Sequence, residues 1–301
     1  MKKFILPLFI ATTLVIAFGT RIYSDTKFSA SAIKTAPILP EETVKPIQTI
    51  ETKQESNYTG ITVNAAAALA IDLETGKEFF SLNKEKRWPI ASITKLMTSV
   101  LTIENIGKQK DIVFSESAVA AEGDSGNFAA GERYKAGDLL KAMMLMSSND
   151  SAEALAEFYG RRQFIQDMNT KAQIIQMRDT VFDDPTGLSV LNQSTPIDLW
   201  KLSEYIFYNH KEIFEISRQE GGAVVELGSR KTKTLVNINL FAGRPDFLGG
   251  KTGYIEEAQQ NLISFFLINK RPTLIIVLGA EDRFLETEKI LEWIYTNYGN
   301  I

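Results

Sequence analysis

The sequence predicts an α+β fold in which N-terminal and C-terminal strands share one antiparallel sheet, with a block of helices inserted between them. Three observations support this fold class. Two strand patterns separated by a turn at residues 74–76 begin the folded part, and helical patterns then dominate from about residue 92 to 217. Strand patterns return after Gly221, and a helical pattern at 284–298 closes the chain. Such segregation of strands and helices is typical of α+β units.

The composition excludes several classes of function. A net charge of -4 gives no basic surface of the kind that binds nucleic acid, so we expect no nucleic-acid partner. The absence of cysteine excludes disulfides, thiolate metal sites and a cysteine nucleophile. With His210 as the only histidine, a histidine-rich zinc site is excluded as well. His210 lies in a polar stretch between two helical patterns, where we expect a surface or helix-end residue, so lysine is the better candidate for a catalytic base.

Residues 1–24 are predicted to direct export. Lys2 and Lys3 precede an apolar run at 4–18, and small residues follow at a spacing that suits cleavage of a signal peptide. The apolar run, extended to residue 20, is also just long enough for a tilted membrane span. A cleaved signal and an N-terminal membrane anchor through residues 4–20 stay open, and the lack of another candidate membrane segment favours the anchor. Either predicts that the rest of the chain is exported.

Residues 25–58 predict a flexible linker, and residues 59–301 predict the folded domain. The linker is rich in Thr, Pro, Glu, Lys and Ser and has no apolar periodicity. Strand patterns in the folded part lie at 63–73, 78–81, 223–227, 234–240, 248–255, 261–268 and 273–279, with a hairpin turn at 269–272. Beyond the helix that begins near residue 92, helical patterns lie at 136–146, 150–160, 162–177, 196–207 and 284–298.

The helix that begins near Ser92 carries a serine and a lysine one turn apart. Its predicted buried stripe is formed by Ile93, Leu96, Met97, Val100 and Leu101. Ser92, Lys95 and Ser99 cluster on a different face. Ser92 lies in the first turn, where backbone N–H groups are unpaired, and a desolvated Lys95 could take its proton. The pattern therefore indicates a serine nucleophile with a lysine base, although a capped helix with a solvent-directed lysine is the simpler alternative.

A second motif, at residues 147–149, places polar residues where the apolar helical pattern is interrupted. Ser147 and Asn149 follow one apolar helix directly and precede another. A short loop between helices can place a hydroxyl and an amide in a cleft. The alternative is a helix end followed by a cap, with Asn149 or Asp150 capping the next helix.

A third motif, at residues 249–253, places a lysine between glycines on a predicted strand. Glycines beside Lys251 would let another backbone or a ligand approach the strand closely. The alternative is a bulged edge strand that carries a solubilising lysine.

Together the three motifs resemble those of the penicillin-recognising serine enzymes. S-x-x-K begins at Ser92, S-x-N at Ser147 and K-T-G at Lys251, with first residues 55 and then 104 positions apart. The stretches 91–98, 147–156, 184–189, 194–199 and 251–254 are similar to those of the low-molecular-mass penicillin-binding proteins, the D-alanyl-D-alanine carboxypeptidase family. The likeness covers roughly residues 60 to 298.

Four residues depart from the pattern of that family. Ser148 stands where glycine is usual and Ser151 where alanine is usual. Ile255 replaces a common threonine and Gln259 a usual glycine. The last two lie downstream of the third motif and bear mainly on substrate preference.

The resemblance implies a β-lactamase/transpeptidase-like fold and a serine peptidase mechanism without metal or cofactor. Ser92 would attack the carbonyl of the penultimate D-Ala and form an acyl-enzyme. Lys95 would accept the serine proton, with its pKa lowered by burial and by the nearby lysine of the third motif. Ser147 would relay a proton to the leaving amine, and Asn149 would hydrogen-bond Lys95 and the substrate.

The third motif would bind the substrate. By resemblance, Lys251 and Thr252 orient the terminal carboxylate, and Gly253 lets the strand lie against the substrate. Backbone N–H groups of Ser92 and Tyr254 form the oxyanion hole, where one donor typically contributes on the order of 10²–10³ in rate. The implied partners are peptidoglycan stem peptides that end in D-Ala-D-Ala, with β-lactams as covalent inhibitors, and the implied location is the cell envelope.

Three other functions compete with a carboxypeptidase. A class A β-lactamase needs a glutamate in a Glu-x-x-Leu-Asn pattern, and Leu188 occupies that position. A D-alanyl-D-alanine endopeptidase uses the same motifs, and residues 184–189 with 194–195 are similar to that branch. A non-catalytic β-lactam or peptidoglycan sensor would be expected to lack the serine or the lysine, and both are present. The family often adds a small C-terminal β domain and a membrane-binding tail, and we expect neither after the closing helix.

Overall fold

The computed structural model describes residues 60–123 and 126–298. The predicted targeting segment, 1–24, and the predicted linker, 25–58, lie outside the described residues. The strands are β1 (Ala67–Asp72), β2 (Glu78–Leu82), β3 (Trp88–Pro89), β4 (Asp111–Val113), β5 (Arg133–Lys135), β6 (Gln193–Ser194), β7 (Gly221–Val225), β8 (Thr232–Val236), β9 (Phe247–Ile255), β10 (Gln259–Ile268) and β11 (Arg271–Ala280). The α-helices are α1 (Lys95–Leu101), α2 (Glu116–Val119), α3 (Ala136–Met146), α4 (Asn149–Tyr159), α5 (Arg161–Ile174), α6 (Pro196–Asn209), α7 (Glu212–Ser217) and α8 (Arg283–Tyr298).

A five-stranded antiparallel sheet joins the two ends of the folded part in the order β2-β1-β11-β10-β9. The predicted sharing of one sheet by early and late strands is therefore confirmed. The turn between β10 and β11 is shorter than predicted, because Asn269 and Lys270 both adopt positive φ, at 50° and 67°. Such a two-residue turn matches the twist of the flanking strands. The strand order makes β9, which carries Lys251, an edge strand.

Alternating side chains of β10 pack on opposite faces of the sheet. Ile263 and Phe265 belong to the large core beneath the helical block, whereas Leu262 and Phe266 pack in a smaller core with α8. This alternation follows from the two-residue period of a strand. Both faces are buried, so the sheet is a layer between α8 on one side and the large core of the helical block on the other.

The predicted helices are confirmed with small shifts of their ends. Residues 136–146 form α3 as predicted, and the 162–177 helix ends earlier, at Ile174. The predicted strand at 234–240 is wrong beyond Val236. There Asn237 donates to the Ser217 and Gln219 carbonyls at 2.7 Å each, and its own side-chain oxygen accepts from Asn239 N. These side-chain bonds to the backbone, two of them to the distant segment at 217–219, take the place of a strand ladder beyond Val236.

The segment after Ser92 is not one uniform helix. A 3₁₀ turn, Ala91–Thr94, leads into α1, and a π-helical turn, Thr102–Ile106, follows it. The predicted apolar stripe is buried throughout, which confirms the face assigned to the core. None of the described helices is both long enough and apolar enough to cross a membrane.

Glu104, in the π-helical turn, connects this turn to α5 and α6 through its carboxylate. Its carboxylate accepts from Tyr205 at 2.6 Å, faces Lys171 at 2.5 Å and lies 2.8 Å from His210 Nε2. His210 ends α6, as the sequence predicts. Burial acts to raise the pKa of Glu104, but the hydrogen bonds from Lys171, Tyr205 and His210 outweigh it and lower that pKa below its ordinary value.

We expect Glu104→Gln to destabilise the protein at pH 7 by about 1 kcal/mol, because a partly exposed ion-pair network is screened by solvent. A lowered carboxylate pKa contributes stability above the unfolded-state pKa, and this contribution is lost as pH falls through the folded-state pKa. The difference in unfolding free energy between wild type and variant should therefore shrink as urea titrations are repeated from pH 7 into the acid range. Glu74→Gln, in an exposed turn, is the control. If the difference in unfolding free energy stays constant with pH, the lowered pKa of Glu104 would be contradicted.

Candidate active site

Ser92 lies in the 3₁₀ turn that precedes α1, and two backbones pack closely against this turn. A Cβ on Gly253 would lie 2.8 Å from the Ile90 carbonyl oxygen and 3.2 Å from Ser92 N. A Cβ on Gly187 would lie 2.8 Å from Ser92 N and clash with the Ala91 carbonyl group. Both positions therefore require glycine, and the third motif and the 183–192 loop are held against the serine by backbone contact.

Lys95 is fully buried, at 0% exposed, one turn after Ser92. Its Nζ lies 2.8 Å from Ser92 Oγ, 2.6 Å from Asn149 Oδ1 and 2.7 Å from the Thr186 carbonyl oxygen. The solvent-directed lysine of the simpler alternative is therefore wrong.

The three Nζ contacts suit an amine that acts as a base. An amide oxygen and a backbone carbonyl oxygen only accept hydrogen bonds, so Asn149 Oδ1 and the Thr186 carbonyl each take an N–H of the amine. A hydroxyl can also donate. In a neutral amine with two N–H groups so engaged, the lone pair is directed to Ser92 Oγ. This arrangement can move a proton from serine to lysine.

The side chain of Asn149 is oriented from its other end. Its Nδ2 donates to the Glu122 carbonyl at 2.7 Å, which turns Oδ1 toward Lys95. Asn149 is the first residue of α4, and the cap is Ser148, whose Oγ accepts from Ser151 N. The alternative in which Asn149 or Asp150 caps α4 is wrong, so the amide of Asn149 is available to the lysine.

Lys251 joins the second and third motifs. Its side chain is buried, at 2% exposed, and its Nζ donates to Ser147 Oγ at 3.1 Å and to the Thr252 carbonyl at 2.8 Å. Ser147 ends α3 in a left-handed conformation with φ of 61°. A solubilising role for Lys251 on the edge strand is therefore wrong.

A cleft of about 550 Å³ opens beside these groups. Among the predicted site residues, Ser92, Asn149 and Tyr254 line it, and Tyr254 is 62% exposed. Lys95, Ser147, Lys251, Thr252 and Gly253 are buried. The other lining residues are Gly123, Gly187, Leu188, Ile238, Ile255, Gln260 and Arg283. Within the described ranges, no cluster of three His, Asp or Glu side chains is arranged to hold a metal ion.

Several residues of the site were not predicted from the sequence. Thr186 and Glu122 contribute backbone carbonyls, for which side-chain patterns give no signal. Arg283 begins α8, lines the cleft and donates to the Gly253 carbonyl at 3.0 Å. Gln259 adopts φ of 54°, a left-handed conformation that favours glycine.

The sequence is similar to those of a known enzyme family. The profile of the D-alanyl-D-alanine carboxypeptidase family matches residues 50–282. The chain is 30% identical over 246 residues to a D-alanyl-D-alanine endopeptidase of Pseudomonas aeruginosa, covering 77% of each protein. It is 28% identical to the D-alanyl-D-alanine carboxypeptidase DacF of Bacillus subtilis, over 82% of this chain and 66% of that protein.

The fold is shared with solved structures. The DD-transpeptidase of Streptomyces K15 superposes with a TM-score of 0.72 at 24% identity, covering 79% of this chain and 100% of that one. A D-alanyl-D-alanine carboxypeptidase from Mycobacterium tuberculosis gives a TM-score of 0.73 at 21% identity, covering 80% and 94%. The predicted β-lactamase/transpeptidase-like fold is confirmed, and the extent of the family match shows that this chain belongs to the D-alanyl-D-alanine carboxypeptidase family.

Proposed function

We propose that the protein is a serine-type D-Ala-D-Ala carboxypeptidase that removes the terminal D-Ala from peptidoglycan stem peptides through an acyl-enzyme on Ser92. The observation that carries the proposal is the contact of Lys95 Nζ with Ser92 Oγ at 2.8 Å, with two acceptors beside it. This geometry supports a serine that is activated by lysine, and the family match supports D-Ala-D-Ala as the substrate.

In the proposed reaction, Lys95 takes the proton of Ser92 as Oγ bonds to the carbonyl carbon of the penultimate D-Ala. The bond from that carbon to the leaving nitrogen then breaks, and the departing D-Ala amine takes this proton from Lys95 by a relay through Ser147. Lys251, 3.1 Å from Ser147 Oγ, supports a proton path along these groups. Lys95, neutral again, then takes a proton from the water that attacks the ester, and it passes this proton to Ser92 Oγ as that oxygen leaves the carbonyl carbon.

The substrate's terminal carboxylate is assigned to Thr252 and Lys251, with Arg283 as an additional cation. Arg283 lines the cleft with Tyr254, and its bond to the Gly253 carbonyl fixes it next to the third motif. A guanidinium matches the planar geometry of a carboxylate. The remaining lining side chains include Leu188, Ile238 and Ile255, so the cleft combines a cationic end with apolar walls.

We expect Arg283→Gln to lower kcat/KM for peptides that end in a free D-Ala carboxylate by about 10–100-fold, which corresponds to one charged hydrogen bond. For the same peptide with a C-terminal amide, kcat/KM should change little, because this substrate has no carboxylate for the guanidinium to bind. Release of D-Ala or D-alaninamide from the two peptides measures the effect. Arg218→Gln, on the exposed surface, is the control. Equal losses on both substrates would contradict the assignment.

Mass spectrometry of a purified muropeptide mixture incubated with the full-length protein tests the proposed function. Pentapeptide stems that become lighter by one D-Ala support the carboxypeptidase. A mixture that is unchanged by the wild-type protein, at a concentration that a fluorescent penicillin shows to be active, would refute it.

An endopeptidase that cuts peptidoglycan cross-links is the second candidate. It is supported by relatives that carry that name, including the Pseudomonas aeruginosa protein and a Haemophilus influenzae protein that is 36% identical over 201 residues. In the same experiment, cross-linked dimers that become monomers would identify this activity.

The proposed substrate places the protein in the cell envelope, in the periplasm or at the outer face of the cytoplasmic membrane. Export by residues 1–24 and membrane association through residues 4–20 belong to this proposal. β-Lactams are the proposed covalent inhibitors. Leu188 rather than a carboxylate lines the cleft at the position discussed for class A β-lactamases, which supports a long-lived penicilloyl-enzyme.

A further inference from the structure

Asp184 is a buried carboxylate that organises the loop at residues 183–192, here called the Asp184 loop. It is 7% exposed, and its Oδ1 accepts from Thr186 N at 2.6 Å, Thr186 Oγ1 at 2.8 Å and Gly187 N at 2.6 Å. Its Oδ2 accepts from Ser189 N at 2.6 Å. Hydrogen bonds to an ionised acceptor are stronger than neutral ones, so this one side chain fixes the course of the loop.

The Asp184 loop is also fixed at its far end. Asn192, fully buried, accepts with Oδ1 from Asp183 N at 2.7 Å and from Asp184 N at 3.3 Å. The side chains of Asp184 and Asn192 thus bind the backbone of the loop from both ends. A loop with such bonds can hold a backbone carbonyl at a constant position.

The Asp184 loop contacts residues 91–98, the segment that contains Ser92 and Lys95, at three points. Its Thr186 carbonyl accepts from Lys95 Nζ at 2.7 Å, and its Pro185 carbonyl accepts from Thr98 Oγ1 at 2.6 Å. Gly187 packs on the backbone of the residue before Ser92, where a Cβ would lie 1.9 Å from the Ala91 carbonyl oxygen.

Ala91 has a positive φ of 48°, which is unfavourable for a residue with a side chain. A residue in such a conformation persists when its surroundings determine it. The close packing of Gly187 on Ala91 supplies that constraint immediately before the nucleophile.

We propose that Asp184 is a positioning residue for the Ser92–Lys95 pair. By holding the Thr186 carbonyl, it engages one N–H of Lys95 and thereby directs the amine to Ser92 Oγ. By holding Gly187, it fixes the strained residue that precedes the nucleophile. Asp184 does not touch substrate in this role. The inference rests on the proposed function of Ser92 and Lys95, because a positioning residue needs a reacting pair to position.

The test measures acylation of the full-length protein by a fluorescent penicillin, with the maximal acylation rate constant and the penicillin dissociation constant determined separately. Asp184→Asn keeps the shape of the side chain but replaces an acceptor oxygen by an NH₂ group. We expect the maximal rate constant to fall roughly 10–100-fold, as for a small misplacement of reacting groups, with the dissociation constant within twofold of wild type. Partial unfolding alone would lower the labelled fraction without changing the rate constant of the folded molecules.

Asp183→Asn is the matched control, because it removes one charge from the neighbouring residue. Asp183 is exposed and accepts from Ser189 Oγ at 2.7 Å. Its rate constant should stay within twofold of wild type. Thr186→Val removes the bond from Thr186 Oγ1 to Asp184, together with the acceptor of Leu188 N, at nearly constant volume. It should slow acylation by about 3- to 10-fold, which keeps the test decisive if Asp184→Asn does not fold.

An Asp184→Asn protein that acylates at the wild-type rate, or a Thr186→Val protein that does so where Asp184→Asn fails to fold, would overturn the inference. A loss of labelled fraction at constant rate would overturn it also, since Asp184 would then be structural only. Failure of the proposed function is distinguishable, because in that case the wild-type protein itself would not be labelled.

Discussion

Ser92→Ala is expected to abolish covalent labelling by a fluorescent penicillin and to abolish D-Ala release. Acylation requires a bond between Ser92 Oγ and the substrate carbonyl carbon, and alanine has no atom that can form it. Lys95 Nζ, 2.8 Å from Ser92 Oγ, would keep its contacts to Asn149 and Thr186 in the variant, so we expect the fold to be retained. Gel fluorescence after denaturation measures the labelling, and a thermal melt measures the fold.

Ser99→Ala is the matched control for that experiment. Ser99 is buried on the same helix, one turn after Lys95, and its Oγ donates to the Lys95 carbonyl at 2.6 Å. Labelling of Ser99→Ala should continue. If Ser92→Ala were still labelled, and peptide mapping placed the penicilloyl group on another serine such as Ser147, the assignment of the nucleophile would be wrong.

The sequence was sufficient to predict the class of fold and the segments that meet at the site. The pattern of strands at both ends led to the shared antiparallel sheet, and the apolar stripe beside Ser92 led to the buried face of α1. These signals are local, since they depend on periods of 2 and 3.6 residues. The three short motifs could be placed together because they resemble a known set, and the structure does bring Ser92, Asn149 and Lys251 into one region.

The remaining part of the site depends on long-range contacts that no local pattern encodes. Each residue has a backbone carbonyl, so the sequence could not indicate that those of Thr186 and Glu122 would orient Lys95 and Asn149. Arg283 reaches the cleft only because α8 begins next to β9, which it contacts through Gly253. The strand predicted beyond Val236 failed for a related reason, because Asn237 bonds to carbonyls of a distant segment.

The Asp184 loop was predicted from the sequence only in part. Its residues 184–189 form one of the stretches that resemble the family, yet the resemblance does not explain what the aspartate does. The structure suggests the physical reason proposed above, since the carboxylate accepts from the two N–H groups that flank the Thr186 carbonyl, and this carbonyl accepts from Lys95. A buried polar network whose members are satisfied makes the structure around it rigid and unique.

Lys95→Met is expected to lower the maximal rate constant of acylation by about 10²–10⁴-fold, the usual contribution of a positioned general base. Methionine fills similar space but cannot accept the serine proton.

Lys95→Arg separates the two roles that the lysine could have, as a cation and as a base. Arginine can donate to Asn149 and to the Thr186 carbonyl, but it stays protonated in proteins and cannot act as the base. Both variants should therefore be slow in labelling with a fluorescent penicillin, measured on protein whose thermal melt is that of a folded chain. Near-wild-type acylation by Lys95→Arg would show that the cation alone is needed and that the proton of Ser92 goes elsewhere.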